Sequence, residues 1–278
     1  MTITMLDLNE FAAALRMDEK SAGTIEKYLA DAGKFVTWLN GRELTKDETL
    51  HWKEHLSNTG LSPTSVNGKL SALNALLGYK GREDCRVKFL KVQRRTFRDP
   101  QREMTRAEFD RLLAAARKNG DVRMFMLMET IVATGIRVSE LQYITVEAVK
   151  AGQAIVHLKG KVRQILIPDK LAKKLQKYAE EKKISTGAIF ITRNGTPMNR
   201  KHIWSKMKKL CKEAGVDSTK VFPHNLRHLF ARTHYQRYHD IATLADVLGH
   251  SSIETTRIYL ITTGLEFAKQ LDDLQLVS

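Results

Sequence analysis

The chain has 278 residues, room for two domains, and its 42 % hydrophobic content suffices to bury cores, which excludes a wholly disordered protein. Lys and Arg total 46 against 31 Asp and Glu, a formal charge of +15 that attracts polyanions, nucleic acid foremost. An anionic membrane surface is the competing partner, but no polybasic cluster stands beside an apolar anchor. The two cysteines, Cys85 and Cys211, lie far apart and outside any Cys-x-x-Cys pattern, which argues against a disulfide framework and a thiolate metal site. The opening MTITMLDL has early acidic residues and no positive region followed by an apolar run, so it does not read as a signal peptide. No apolar stretch is long enough to span a bilayer, and the expected compartment is the cytoplasm.

Residues 1–95 read as a small helical domain. From Thr24 to Leu39 the residues Ile25, Tyr28, Leu29, Phe35, Val36 and Leu39 recur at helical intervals, and Gly41 follows as a stop. Thr45 and Glu48 have the spacing of a capping box opening a second helix through Leu56. Ser62-Pro63 starts a third, a Ser cap followed by Pro where no N–H is needed. Its apolar stripe is Val66, Leu70, Leu73, Leu76 and Leu77. A basic stretch follows, with Arg86, Lys88, Lys91, Arg94, Arg95, Arg98, Arg102 and Arg106, and 96–103 is the expected linker. It reads equally as a solvated linker and as a strap along a DNA backbone, since clustered cations release counterions from phosphates.

The second domain is expected over 104–278. Thr105 and Glu108 form a further capping box, and Phe109, Leu112 and Leu113 open an amphipathic helix. A helix ending at Thr134-Gly135 precedes a β-hairpin over Ala154–Ile167 that turns at Lys159-Gly160-Lys161. Ala188–Thr192 is another strand candidate, and the pattern then returns to helices. The expected fold class is mainly α with a small β-sheet: a helical N-terminal domain and an α/β second domain.

Four pieces of the second half carry chemistry: Thr134 to Leu141 around Arg137, the hairpin turn with Lys159, Pro223 to His228 with His224 and Arg227, and Leu248 to Ser252 with His250, leading to Tyr259. Two arginines, two histidines, a lysine and a tyrosine suit phosphoryl transfer without a metal. Guanidinium groups match phosphate oxygens bidentately, Lys supplies a compact charge or a proton, His changes charge near neutral pH, and Tyr can be a covalent nucleophile. His224 and Arg227 project from one helical face, being three apart. Gly249 can end a helix and release His250, and Ser251 with Glu254 has the spacing of a capping box for a helix carrying Thr255, Thr256 and Tyr259.

The segments TGIRVSEL, PHNLRH and LGHSSIETTRIYL resemble the signature boxes of the tyrosine recombinase (phage integrase) family, especially its Xer-like and transposon-type members. Their separations fit that resemblance: 227 − 224 = 3, 250 − 227 = 23 and 259 − 250 = 9. The helical first half looks like the family's core-binding domain. Residue by residue, the resemblance implies that Arg137 and Arg227 clamp a scissile DNA phosphate attacked by Tyr259. Lys159 would protonate the departing 5′ oxygen, His224 would assist proton transfer at Tyr259, and His250 would hydrogen-bond the phosphoryl oxygens. Glu140 matches an acidic position behind the first arginine. The wording Leu158 to Arg163 departs from the usual hairpin motif, so Lys161 competes with Lys159, and Gln164 stands where the family often has Arg. The resemblance further implies double-stranded DNA as partner, a homotetramer on two DNA sites, an accessory DNA-bending or directionality protein in some systems, and no cofactor.

Other readings stand beside this one. His228 is read as structural. His51 and His55 are four apart, but Trp52 occupies the place of the metalloprotease Glu, which disfavours zinc. His202, Lys206, Lys208, Lys209 and Lys212 around Trp204 read as a DNA-facing helix or as a solvated face. In the tail, Phe267, Leu271 and Leu274 form an apolar stripe assigned to docking on a neighbouring copy rather than on its own domain. There is no GxxxxGK[ST] loop to supply energy from a nucleotide. Two functional rivals remain: a type IB topoisomerase, expected to relax DNA without sequence preference, and a non-catalytic DNA-binding regulator, disfavoured by the complete residue set.

Overall fold

The computed structural model describes residues 2–92, 100–158, 161–259 and 264–275, apart from a few side chains, that of Lys161 among them. The chain divides into two compact units, Met1–Arg94 and Arg95–Ser278. Among the described residues it is mainly helical with one small sheet, the class read from the sequence.

Among its described residues the first unit holds four α-helices: α1 (Met5–Met17), α2 (Ala22–Leu39), α3 (Lys46–Asn58) and α4 (Pro63–Tyr79). Ser21, Thr45 and Ser62 cap α2, α3 and α4 by accepting an N–H of the first turn. The box expected at Thr45 and Glu48 is only half formed. Thr45 Oγ1 accepts the Glu48 N–H at 3.3 Å, but the Glu48 carboxylate turns to Arg42, a charged partner stronger than a backbone amide. α2 and α4 pack along their apolar stripes, burying Phe35, Leu39, Leu70, Leu73, Leu76 and Leu77. His55 stacks on Trp52 at 5.4 Å and lies 6.1 Å from Trp38, so it belongs to an aromatic cluster.

Part of the basic stretch is anchored by a device absent from the sequence reading. Asn67 and Asn74, two helical turns apart on α4, each act as a substitute strand for an extended segment. Asn74 donates to the Val87 carbonyl and accepts its N–H, both at 2.9 Å. Asn67 does the same for Leu90 at 2.9 and 2.8 Å. Val87 is thereby pinned inward while Lys88 and Lys91 face solvent.

The second unit comprises α5 (Arg106–Lys118), α6 (Val122–Thr134), a 3₁₀ segment (Val138–Tyr143), α7 (Val146–Lys150), β1 (Gln153–Leu158), β2 (Lys161–Leu166), α8 (Asp169–Glu181), α9 (Arg200–Ala214), α10 (Pro223–Tyr238), α11 (Ile241–Leu248), α12 (Ile253–Arg257) and α13 (Gly264–Asp273). The Thr105–Glu108 capping box forms in full. A continuous core includes Leu112, Leu127, Ile131, Leu175, Phe190, Ile203, Met207 and Leu226, and a smaller cluster gathers Ala231, Leu244, Leu248 and Tyr259. β1 and β2 pair antiparallel, with Ala154 opposite Ile165 and Val156 opposite Arg163. Side chains alternate between faces along a strand, so Ala154, Val156 and Ile165 point inward, while Ile155, Val162 and Leu166 are exposed. Arg163 is on the inward face.

Two expectations need correction. Ala188–Thr192 is not a strand: Ala188 and Ile191 form only isolated bridges, to Thr145 and Pro197, and Pro197 has no N–H with which to continue a ladder. The helix expected to carry Tyr259 is capped by Ser252 rather than Ser251 and ends at Arg257. Thr255 and Thr256 lie on it, whereas Tyr259 sits just past its end, with its N–H bonded to the Thr256 carbonyl at 3.0 Å.

In Asn74→Ala, the Val87 amide is expected to exchange with solvent roughly five-fold faster, corresponding to about 1 kcal/mol of lost anchoring, while the Leu90 amide stays protected by Asn67. Residue-resolved hydrogen exchange measures both.

Candidate active site

Five of the six residues singled out in the sequence converge in the second unit. The sixth, Lys159, lies outside the described residues; its rival Lys161 begins β2 opposite Leu158, and its side chain is likewise outside them.

The convergence is organised by the C-terminal end of α11. Helix ends leave carbonyls without internal partners, and those carbonyls carry partial negative charge that favours cations. Here three consecutive carbonyls each take one guanidinium. Val247 O accepts from Arg163 Nη2 at 2.7 Å, Leu248 O from Arg227 Nη2 at 2.8 Å, and Gly249 O from Arg137 Nη2 at 3.3 Å. Gly249 permits this geometry: its φ of +63° is left-handed, and a Cβ there would lie 2.6 Å from Arg163 Nε.

Each arginine arrives from a different element. Arg227 projects from the second turn of α10 and is 1 % exposed, an unusual burial for a cation. Arg227 Nη1 donates to the carbonyl of Gly135, the left-handed cap of α6, so two helix ends hold this one side chain. Gly135 also has no room for a side chain, since a Cβ would come within 2.6 Å of Phe230 Cε1. Burial first, and the charge of Arg137 second, push the Arg227 pKa down to about 10, with the Tyr259 hydroxyl opposing them. Arg137 sits at the head of the 3₁₀ segment, half-exposed, and is held by Glu140. That carboxylate accepts the Arg137 N–H and its Nη1, both at 2.9 Å, and Arg163 Nη1 at 2.8 Å. Glu140 is thus buried between two cations, and the described contacts set this one carboxylate against three guanidinium charges. A centre with that surplus is an anion site.

His250 follows Gly249 and bridges the arginine centre to α12. Its Nε2 is 2.9 Å from Arg227 Nη2 and its Nδ1 is 2.8 Å from Thr256 Oγ1. A guanidinium only donates, so Nε2 accepts and the ring proton resides on Nδ1, donated to the threonine hydroxyl. Burial and the charges of Arg227, Arg137 and Arg163 push the His250 pKa down to about 4. Thr256, fully buried, accepts this proton's hydrogen bond; nothing in its own spacing had marked it out.

Tyr259 is 4 % exposed and enclosed by imidazoles. Its ring stacks on His250 at 5.9 Å and 13°, meets His228 edge-on at 4.5 Å, and lies 6.5 Å from His224. His224, in the first turn of α10, keeps an exposed edge, yet crowding by protein atoms, then the charges of Arg227, Arg137 and Arg200, lower its pKa below the usual imidazole value. His228 packs against both His224, at 4.6 Å, and Tyr259. Arg163 was the main residue missed. Its signal was present: it is in phase with the inward-facing Ile165 and Ile167. Gln164 points outward and pairs with Gln153. Among the described residues no group of three His, Cys, Asp or Glu side chains could hold a metal, and no helix is long and apolar enough to cross a membrane.

Comparison with known proteins gives the context for this geometry. Residues 102–263 match the family model "Phage integrase family", and residues 8–84 match "Phage integrase, N-terminal SAM-like domain". Among curated proteins, the chain is 29 % identical to tyrosine recombinase XerA of Thermococcus kodakarensis, over 97 % of this chain and 95 % of that protein. It is 28 % identical to tyrosine recombinase XerD of Halalkalibacterium halodurans, over 87 % and 88 %. Among solved structures, the fold is similar to XerH site-specific recombinase bound to difH substrate, with a TM-score of 0.71 and 19 % identity over 96 % of this chain and 84 % of that one. It is also similar to a lambda integrase dimer bound to a core site, with a TM-score of 0.72 and 19 % identity over 93 % and 95 %. The catalytic-domain match spans more than half of the sequence, and the chain therefore belongs to the phage integrase family, with tyrosine recombinases as its curated relatives.

Proposed function

We propose that this protein is a site-specific DNA recombinase that cuts and rejoins duplex DNA through a 3′-phosphotyrosine intermediate. The observation that carries the reading is the packing of one buried tyrosine, Tyr259, against Arg227-bound His250, at a centre where three arginines face a single carboxylate. In the proposed reaction the Tyr259 oxygen attacks the scissile phosphorus, the bond to the 5′ oxygen breaks, and that oxygen leaves protonated. A 5′ hydroxyl later attacks the phosphotyrosine and restores the tyrosine, so the bond energy is conserved without nucleotide hydrolysis. Arg137 and Arg227 bind the non-bridging oxygens, where charge concentrates in the transition state. His224 exchanges the tyrosine proton, and Lys159 is the acid for the leaving oxygen, with Lys161 as its rival. His250 hydrogen-bonds the phosphoryl group from Nε2 once the phosphate takes Arg227 from that nitrogen and the Thr256 hydroxyl turns to donate to Nδ1.

The proposed organisation is a core-binding domain over 1–95, a linker over 96–103 and a catalytic domain over 104–278. The partner is double-stranded DNA, bound by a homotetramer on two sites in the cytoplasm, with an accessory DNA-bending or directionality protein in some reactions. Leu271 on α13 and Leu274 just past its end are 52 % and 57 % exposed, which supports docking of the tail on a neighbouring copy; the side chain of Phe267 is outside the described residues. Of the two readings of α9, contact with DNA is favoured by Trp204, which is half exposed with Lys208 Nζ 5.1 Å from its ring.

Trapping denaturant-resistant protein–DNA adducts from cells expressing the wild-type chain or Tyr259→Phe, and sequencing the attached DNA, tests the proposal. The expected result is adducts in the wild type only, at one repeated sequence. Adducts scattered without sequence preference would replace the reading with a topoisomerase, and DNA binding without any adduct would replace it with a regulator. Arg227→Lys keeps the charge but not the fork that reaches two helix ends, and cleavage of the recovered sequence should slow by roughly 10²–10³-fold. A rate within a few-fold of wild type would remove Arg227 from the phosphate clamp.

The histidines also set a pH dependence of stability. His224 and His250 both titrate below the unfolded imidazole value of ~6.5. As pH falls through ~6.5 the unfolded chain takes up protons that the folded chain refuses, so the stability they contribute is complete above that pH and is lost toward pH 4. Between pH 6.5 and 5 the melting temperature is expected to fall, and the slope should flatten in His224→Asn/His250→Asn, as read by scanning calorimetry.

A further inference from the structure

We propose that Arg163 is a positioning residue for the recombination chemistry proposed above, holding Arg137 through Glu140 and the His250 turn through the Val247 carbonyl. The inference rests on that reaction. Arg163 touches neither Tyr259 nor His250 in the described contacts. It acts through the groups that would meet the phosphate.

Three independent observations converge on it. Arg163 is an arginine on the inward, apolar face of a two-stranded sheet, opposite Val156 and two residues from Ile165, where period-two alternation calls for an aliphatic side chain. Its guanidinium is only 10 % exposed, and it divides its donors between Glu140 Oε2 at 2.8 Å and Val247 O at 2.7 Å. These two acceptors belong to the two segments that must be in register for a phosphate to be bound: one precedes α7, the other ends α11 beside His250. Finally, the chain makes room for it. A Cβ on Gly249 would collide with Arg163 Cδ and Nε, so the glycine next to His250 provides the space as well as the left-handed turn.

The physical consequence is a constraint on Arg137. A lone Glu140 could swing with its arginine, but a carboxylate gripped from both sides has its two oxygens assigned, Oε1 to the Arg137 guanidinium and Oε2 to Arg163 and the Arg137 N–H. Removing Arg163 leaves Oε2 with the Arg137 N–H alone, and its second lone pair then draws the Arg137 guanidinium down onto the carboxylate, withdrawing it from a substrate oxygen. It also leaves the Val247 carbonyl without its described partner, loosening the turn that aims His250. Lys cannot restore both contacts, because a single ammonium on a flexible stem does not span two acceptors as a planar fork does.

The test compares adduct formation by wild type, Arg163→Met, Arg163→Lys and Arg163→Ala. Two nicked duplexes of the recovered target sequence are used, one with an ordinary scissile phosphodiester and one with a methylphosphonate at that position. The methylphosphonate has lost the negative charge that the arginines recognise. Arg163→Met is expected to cleave the phosphodiester at least ~30-fold more slowly and the methylphosphonate within about 3-fold of wild type, with Arg163→Lys between. A second measurement uses Gly249→Ala: its slowing of phosphodiester cleavage should shrink at least several-fold in an Arg163→Ala background, where the collision is gone. Equal slowing on both duplexes by Met and Lys alike would reduce Arg163 to a folding role and overturn the proposal, as would wild-type rates on both. If the wild-type chain forms no adduct on the phosphodiester duplex, the reaction itself is refuted and the inference falls with it.

Discussion

The second unit depends on what happens where α11 stops. Three successive carbonyls, 247 to 249, receive guanidinium groups from β2, α10 and the segment after α6. A helix C-terminus is a weak, diffuse negative pole. Here it is made specific by using each carbonyl once. Burying arginines is ordinarily unfavourable because of lost hydration, and the compensation here is multiple directed hydrogen bonds and one shared carboxylate. The arrangement leaves a net positive centre beside an aromatic enclosure for Tyr259, the electrostatic condition a phosphoryl-transfer site requires.

Packing and chemistry are therefore hard to separate in this unit. Gly135 ends α6 and supplies a carbonyl to Arg227, while Phe230, one helical turn along α10 from Arg227, fills the space a side chain at 135 would need. Thr256 is a buried helix residue and also the hydroxyl that pairs with His250 Nδ1. The small cluster of Ala231, Leu244, Leu248 and Tyr259 ties the tyrosine to the same helix end that gathers the arginines.

Much of this was legible in the sequence because the chemistry-bearing residues come in short boxes with fixed local geometry. His224 and Arg227 share a helical turn, Gly249 punctuates a helix, and Arg137 follows a left-handed glycine. The signals that failed were those depending on a distant partner. Arg163 drew no role of its own, since the sequence does not say that Glu140 and Val247 wait on its inward side. Asn67 and Asn74 carry no mark of the extended segment they brace. Glu48 had the spacing for a reciprocal cap, and a nearby arginine outcompeted the backbone. The strand expected at 188–192 failed for a local reason, the proline at 197 that faces it.

Because the arginine acceptors at 247 to 249 are main-chain atoms, the arrangement is insulated from most side-chain replacement there. Every amino acid brings the same carbonyl, so substitutions at Val247 can drift with packing needs without deleting an acceptor. What cannot drift is the path of the backbone, fixed by the glycine at its exit and by the helix behind it. The heritable information at this point is therefore a conformation more than a set of functional groups. Across related chains, the side chain at position 247 should vary far more freely than the turn itself, whereas Leu248 is held by its burial beside Tyr259.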